Sequence, residues 1–150
     1  MSEPTAPSTT AASGPEMSLD VATMNAISRG TLAERMGIEL IEVGAQRTVA
    51  RMPVEGNTQP YGLLHGGASA VLAETIGSVA SAIHAGPGRV ALGLELNCTH
   101  HRAQREGVVT GVATPAALTR NVASYDIRIT DEAGKPVCTA RLTCLLRDAG

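Results

Sequence analysis

The sequence predicts an α+β domain in which a curved antiparallel sheet of five or six strands wraps around one long central helix. A 20-residue stretch of small and apolar residues, 66–85, repeats its larger apolar side chains at helical spacing. The segments before and after it alternate polar and apolar residues, as strands with one buried face do. A chain of 150 residues has room for one such core. A sheet that covers a helix apolar nearly all round has to curve around it.

The composition excludes several classes of protein. With 12 basic and 14 acidic residues, the net charge of −2 offers no basic footprint for nucleic acid. No stretch of 18 apolar residues is free of polar ones, and the N-terminus lacks the pattern of a signal peptide. The three cysteines have no paired spacing, which favours reduced thiols over a disulfide framework or a zinc site. We therefore expect a cytoplasmic protein that contacts neither nucleic acid nor membrane.

The chain divides into a tail, residues 1–17, and a single domain, residues 18–150. The tail consists mainly of Ser, Thr, Pro and Ala, which cannot bury enough apolar surface to order it. The domain begins with apolar residues near helical spacing, for which Ser18 is the predicted N-cap and Gly30 the stop. A short second helix is predicted over residues 31–36.

Strands are predicted on both sides of the long helix. Residues 37–43 and 46–54 form a hairpin, and a loop rich in Gly, Asn and Pro follows at 55–64. In the first strand after the helix, the alternation sets Val90, Leu92, Leu94 and Leu96 on one face. The predicted strands of the second half are 89–100, 107–114, 123–130 and 137–146.

Glu74 is the residue that most clearly suggests chemistry. It is the only formally charged residue in the 33 positions from 56 to 88, and it lies in the middle of the predicted buried helix. A carboxylate in such a place is paired, protonated or in a wet cavity, and such carboxylates are frequent in active sites. The structural alternatives are a side chain that reaches the surface or one that pairs with Arg102. Ser78, one turn later, either hydrogen-bonds at the same site or simply eases helix packing.

The sequence His65-Gly66-Gly67 opens the long helix. The first N–H groups of a helix lack intrahelical partners, and two glycines let a carbonyl group approach them closely. This arrangement can act as an oxyanion hole, or His65 merely caps the helix. Eight residues of helix span about 12 Å, so one chain cannot bring Gly66 and Glu74 to one carbonyl. Two antiparallel copies can, and the site would then be composite.

A basic cluster, His100, His101 and Arg102, ends the strand that follows the helix. It is either a solvated strand end or a phosphate contact. The cysteines, Cys98, Cys138 and Cys144, are interpreted as small buried hydrophobic residues, since no base is close in sequence.

These residues resemble a known family. Residues 59–69 (QPYGLLHGGAS) and 72–80 (LAETIGSVA) are similar to the signature of the hotdog-fold acyl-CoA thioesterases of the phenylacetate-pathway type. Within that family, the likeness points to enzymes that hydrolyse 4-hydroxybenzoyl-CoA and 1,4-dihydroxy-2-naphthoyl-CoA, the latter in menaquinone synthesis. The likeness extends from about residue 32 to 146, with further similar segments at 93–97, 105–107 and 129–135.

The resemblance implies a role for each residue of the motif. Glu74 would be the catalytic carboxylate, as nucleophile or as base for water, and the Gly66 N–H of the partner chain would polarise the thioester carbonyl. Gln59 and His65 would flank that carbonyl, and Ser78 would position water or the carboxylate. The reaction needs no metal or other cofactor. The assembly would be a homodimer with composite sites, within a homotetramer.

The CoA moiety is assigned by the same resemblance. His100 and Arg102 match positions that hold CoA phosphates in relatives. Relatives often carry a His-Leu-Gly-(Arg/Ser)-Arg segment where this chain has residues 117–121 (ALTRN), so only Arg120 remains there to reach a phosphate. Two other functions are open: a non-catalytic acyl-CoA binding module, and a hotdog dehydratase or hydratase. The intact Glu74, with Gln59 and Gly66, argues against the first. Against the second, His65 is the only histidine nearby and the motif differs.

Overall fold

The computed structural model describes residues 19–150, which form one six-stranded antiparallel sheet and three helices. The predicted disordered tail, residues 1–17, lies outside the described residues. In chain order the elements are α1 (Val21–Ile27), α2 (Leu32–Arg35), β1 (Glu39–Glu42), β2 (Thr48–Pro53), α3 (Gly66–Ala85), β3 (Arg89–His100), β4 (Val108–Leu118), β5 (Val122–Thr130) and β6 (Pro136–Asp148).

The strands lie in the order β1-β2-β4-β5-β6-β3, and every neighbouring pair is antiparallel. The predicted fold class is therefore confirmed, with six strands. β3 follows α3 in the chain but pairs only with β6, so it is an edge strand of 12 residues. Long unpaired edges of this kind offer a row of backbone hydrogen-bonding groups to another chain.

The central helix α3 packs one face on the sheet and leaves the other partly open. The buried face consists of Ala68, Ser69, Leu72, Ala73, Ile76, Gly77, Ala80 and Ser81. The opposite face, which includes Val71, Glu74, Ser78 and Val79, is only half-buried. The prediction of a helix buried all round is thus wrong for a single chain. Among residues 19–150, α3 is the one helix long and apolar enough to cross a membrane. Core helices of soluble proteins meet the same criteria of length and composition.

Two element boundaries differ from the sequence prediction for clear physical reasons. The N-cap of α1 is Asp20, whose carboxylate accepts the Thr23 N–H at 2.8 Å; Ser18 lies outside the described residues. β4 continues to Leu118, four residues beyond its predicted end. A proline lacks the N–H that a strand needs, and a register shift between Pro115 and Ala117 accommodates it.

β3 contains a bulge that the alternating sequence did not reveal. Its pairing with β6 shifts between Gly93 and Glu95, which leaves Leu94 without a partner and 62% exposed. Before the bulge, Ala91 packs against the core; after it, Leu96 does. The predicted single apolar face of β3, with Leu92, Leu94 and Leu96 together, is therefore wrong, because the bulge exchanges the two faces.

Tyr125 joins β5 to the central helix. Its side chain is fully buried, and its hydroxyl lies 2.7 Å from the Ala45 carbonyl and 3.2 Å from that of Ala80, so it can donate to either. Burial raises the pKa of Tyr125 to about 12. We expect Tyr125→Phe to lower the free energy of unfolding by about 1–2 kcal/mol, since the part-buried Ala45 carbonyl then loses its donor.

Urea unfolding followed by circular dichroism measures this loss. Tyr61→Phe is the matched control, because Tyr61 is 81% exposed. An equal change of stability in both variants would contradict the assigned role of the Tyr125 hydroxyl.

The cysteines are free, as expected for reduced thiols. Cys138 and Cys144 are buried and Cys98 is half-buried. Burial raises the pKa of all three thiols, that of Cys138 to about 12. A thiol that stays protonated is a poor nucleophile, which agrees with the interpretation of these residues as small hydrophobic side chains.

Candidate active site

The N-terminus of α3 presents one free hydrogen-bond donor. His65 is the N-cap, and its Nδ1 accepts the Gly67 N–H at 2.8 Å. Its carbonyl accepts the N–H groups of Ala68 and Ser69. Within residues 19–150 the Gly66 N–H makes no hydrogen bond. His65 thus accepts the N–H groups of the three residues after Gly66 and leaves the Gly66 N–H as a free donor.

The lack of a side chain at Gly66 makes room for His100. A Cβ atom at position 66 would lie 2.9 Å from Nε2 of His100, the last residue of β3. The imidazole ring therefore rests against the first turn of α3. This contact was not foreseen, because the two residues are 34 positions apart in the sequence.

A cavity of about 360 Å³ opens at this end of α3. Gln59, Gly66, His100 and Arg102 all contribute to its lining. Gln59 is held by a tight hairpin, in which its N–H donates to the Leu63 carbonyl at 2.8 Å. The structure thus brings four of the predicted site residues together in one chain, while His65 lies just outside as the cap.

Glu74 lies two turns further along α3 and is half-buried. Ser78 Oγ donates to its Oε1 at 3.3 Å, as the one-turn spacing predicted. In the described part of the chain Glu74 forms no ion pair, so the alternative of a salt bridge with Arg102 does not hold within one protomer. The half-buried carboxylate is therefore not neutralised by a basic partner within the described part of the chain.

A separate cavity of about 340 Å³ lies beside Glu74. Its walls are almost entirely aliphatic and come from three elements: α2 (Leu32, Ala33), α3 (Ala70, Val71, Glu74, Thr75) and β3 (Leu96). Leu32 and Leu96 are not among the site residues predicted from the sequence, because no motif marks an aliphatic wall. The cavity suits an apolar group held next to the carboxylate.

The two cavities are distinct within one chain. α3 runs unbroken from Gly66 to Ala85, so the eight residues from Gly66 to Glu74 rise by about 12 Å. No residue lines both cavities. A donor and a carboxylate that far apart cannot act on one carbonyl, since each must come within about 3 Å of it.

Arg120 lies away from the other predicted basic residues. It is exposed in the turn between β4 and β5, and its carbonyl accepts a hydrogen bond from Arg89. The neighbouring Thr119 carbonyl lies 2.9 Å from Nε2 of His84, near the C-terminus of α3. Arg120 is thus at the opposite end of α3 from His100 and Arg102 of the same chain.

The chemistry available here is that of a carboxylate and a free backbone N–H. Among residues 19–150, no cluster of His, Cys, Asp and Glu is suited to hold a metal ion. The N–H can polarise a carbonyl oxygen, and the carboxylate can attack the carbonyl carbon or deprotonate water.

The known proteins to which this chain is similar include thioesterases. The family model of the thioesterase superfamily matches residues 61–138. The proofreading thioesterase EntH of Cronobacter turicensis is 47% identical over 121 residues, which cover 80% of this chain and 88% of that protein. The crystal structure of a thioesterase from Haemophilus influenzae is 38% identical, covers 85% of this chain and 90% of its own, and has a TM-score of 0.82.

A third relative is informative through its variants. A thioesterase enzyme of Staphylococcus aureus is 30% identical to this chain in two variant structures. One of them has a TM-score of 0.76 and covers 79% of this chain and 99% of its own. One structure carries a Gln-to-Ala substitution and the other a Glu-to-Ala substitution 15 residues later. The separation between Gln59 and Glu74 is the same, 15 residues.

Proposed function

Because the chain belongs to the thioesterase superfamily and has the hotdog fold of its relatives, we propose that it hydrolyses acyl-CoA thioesters with Glu74 and Gly66 as the reacting groups. The chain is a thioester hydrolase. This favours acyl-CoA hydrolysis over the two other functions considered, a non-catalytic binding module and a dehydratase. The single observation that carries the proposal is the Gly66 N–H, the donor that the His65 cap leaves free.

In the proposed reaction, the Gly66 N–H donates to the thioester carbonyl oxygen and stabilises the negative charge that develops there. Glu74 either attacks the carbonyl carbon or removes a proton from the attacking water. The C–S bond breaks, and the products are the carboxylic acid and the CoA thiol. Ser78 holds the carboxylate through its 3.3 Å hydrogen bond, and Gln59 lies beside the carbonyl or the water.

The proposal requires two protomers. Within one chain Gly66 and Glu74 are too far apart, because α3 rises by about 12 Å between them, at about 1.5 Å per residue. In an antiparallel dimer, Gly66 of one chain and Glu74 of the other can lie at the same carbonyl. The half-exposed face of α3 and the free edge of β3, with Leu92 41% and Leu94 62% exposed, are the surfaces that such a pairing covers. A homotetramer of two such dimers and a cytoplasmic location stay predictions.

The acyl group is proposed to occupy the aliphatic cavity beside Glu74. Aryl groups such as 4-hydroxybenzoyl or 1,4-dihydroxy-2-naphthoyl are flat and apolar enough for walls of Leu32, Val71 and Leu96. A role in menaquinone synthesis would follow from the second of these. A proofreading role, as in the relative from Cronobacter turicensis, would instead require tolerance of many acyl groups.

The nucleotide end of CoA is proposed to lie along the cavity at the N-terminus of α3. Arg102 lines it and supplies positive charge for phosphate. His100 lines the same cavity but lies against Gly66, so its ring is proposed to contact the part of CoA next to the thioester. In an antiparallel pair of α3 helices, the partner's Arg120 approaches this same end, because it sits by the C-terminus of its own α3. The two arginines predicted to contact phosphate would then come from both protomers.

We expect Arg102→Ala to raise KM for acyl-CoA by about tenfold with little change in kcat, because one charge-assisted phosphate contact is worth about 1.5–3 kcal/mol. Steady-state kinetics at low and high salt measures this. Arg128→Ala, on the exposed part of β5, is the control. A fall in kcat with unchanged KM would contradict the phosphate role.

The proposal is tested by CoA release from a panel of thioesters. A thiol reagent reports turnover of benzoyl-, 4-hydroxybenzoyl-, 1,4-dihydroxy-2-naphthoyl-, phenylacetyl- and hexanoyl-CoA. A strong preference for the aryl esters supports the aryl-CoA assignment, similar rates across the panel support a proofreading breadth, and no turnover of any ester contradicts acyl-CoA hydrolysis.

A further inference from the structure

Gly93 lies where β3 passes the carboxylate of Glu74. A Cβ atom at position 93 would collide with Oε1 of Glu74 and lie 3.4 Å from its carboxyl carbon. The obstacle is the reacting end of the side chain, since the aliphatic part of Glu74 is not among the atoms nearest to this Cβ position. The backbone of β3 therefore passes directly beside the carboxylate, in space that a side chain at position 93 would fill.

The bulge of β3 occurs at the same residue. The register between β3 and β6 shifts between Gly93 and Glu95, and the extra residue is Leu94. The bulge exchanges the faces of the strand. Before it, Gly93 is the last residue of β3 that faces α3; after it, Leu96 is the first that lines the acyl cavity. In a regular strand, Glu95 and not Leu96 would share this face with Gly93.

We infer that Gly93 and the adjoining bulge form a slot that positions the Glu74 carboxylate for attack. Gly93 is a positioning residue, which acts only through Glu74, and the inference rests on the proposed function. Among residues 19–150, the one side-chain hydrogen bond of Glu74 is that from Ser78 at 3.3 Å. One long hydrogen bond leaves the carboxylate free to swing, whereas the slot in the β3 backbone fixes its direction.

The kinetic test compares Gly93→Ala with Gly111→Ala. Gly111 lies on β4 and also faces α3, but its Cβ would meet Ile76 at 3.0 Å and Leu72 at 3.2 Å, residues that line neither cavity. We expect Gly93→Ala to lower kcat by about tenfold or more with KM nearly unchanged, because a displacement of about 1 Å costs up to about 10²-fold in rate. Gly111→Ala is expected to lower Tm and leave kcat of the folded protein unchanged.

A second measurement needs no activity. Gly93→Ala is introduced into the wild type and into Glu74→Ala, and the fall in Tm is compared. The slot predicts a larger fall in the wild type than in Glu74→Ala, where the colliding carboxylate is gone. If Gly93→Ala fails to fold in the wild type but folds in Glu74→Ala, the slot is supported as well.

Two results would overturn the inference: a wild-type kcat in folded Gly93→Ala, or an equal loss of Tm, or of folding, with and without the Glu74 side chain. Failure of the proposed function looks different. In that case no ester is turned over, or Glu74→Gln keeps its rate, while the Tm comparison still reports whether Gly93 and Glu74 are in contact.

Discussion

Glu74→Gln is expected to lower kcat by about 10²–10⁴-fold while KM changes little, because a neutral amide can neither attack a carbonyl nor accept a proton from water. Glutamine has the size of glutamate and can still accept the hydrogen bond of Ser78, so the helix and the cavity keep their shape. The loss therefore measures chemistry and not folding. Steady-state kinetics with the preferred ester, and circular dichroism to verify the fold, provide the two readouts.

The matched control is Glu95→Gln. Glu95 is an exposed glutamate on β3 that accepts a hydrogen bond from Asn97 at 3.0 Å. The same substitution there removes one negative charge close to the site without touching the reacting carboxylate. If both variants lose rate equally, the effect of Glu74 is one of general charge. If Glu74→Gln is as active as the wild type, this carboxylate is structural.

The part of the site that follows from local helix physics was predictable from the sequence. The motif His65-Gly66-Gly67 starts a helix whose first donors have no intrahelical partner, and the structure leaves the Gly66 N–H in that state. The contact of Ser78 with Glu74 follows from helical spacing alone. Both depend on residues at most four positions apart in one helix, where backbone geometry decides the outcome.

The rest of the site depends on contacts between elements, which the sequence pattern does not encode. The ring of His100 against Gly66 and the wall of Leu32 and Leu96 join residues from different elements. The bulge at Leu94 made the prediction for β3 wrong. Apolar residues at every second position look the same in the sequence whether or not one residue of the strand is unpaired, so the pattern does not show a bulge. Sequence reasoning consequently placed three leucines on one face that the structure divides between two.

Mixing two inactive variants is expected to restore activity if the site is shared between protomers. Glu74→Gln removes the carboxylate, and Gly66→Val blocks approach to the free N–H, which costs about 10²-fold or more. The new side chain also pushes on the ring of His100, an exposed residue with room to move. Each homodimer then has two defective sites, and each variant alone is nearly inactive.

In an equal mixture after subunit exchange, about half of the dimers are heterodimers, and in each of these both lesions fall in one site while the other site is intact. The mixture should therefore recover about one quarter of the wild-type activity. If Gly66 and Glu74 acted within one chain, every site in every dimer would carry a lesion, and no activity would return. Native mass spectrometry verifies that heterodimers have formed, so an inactive mixture that contains them would refute the shared site. Activity returns only if the Gly66 N–H and the Glu74 carboxylate of one site come from different protomers. The recovery therefore assigns the two groups to different protomers, and the assignment does not depend on the residual rate of either variant.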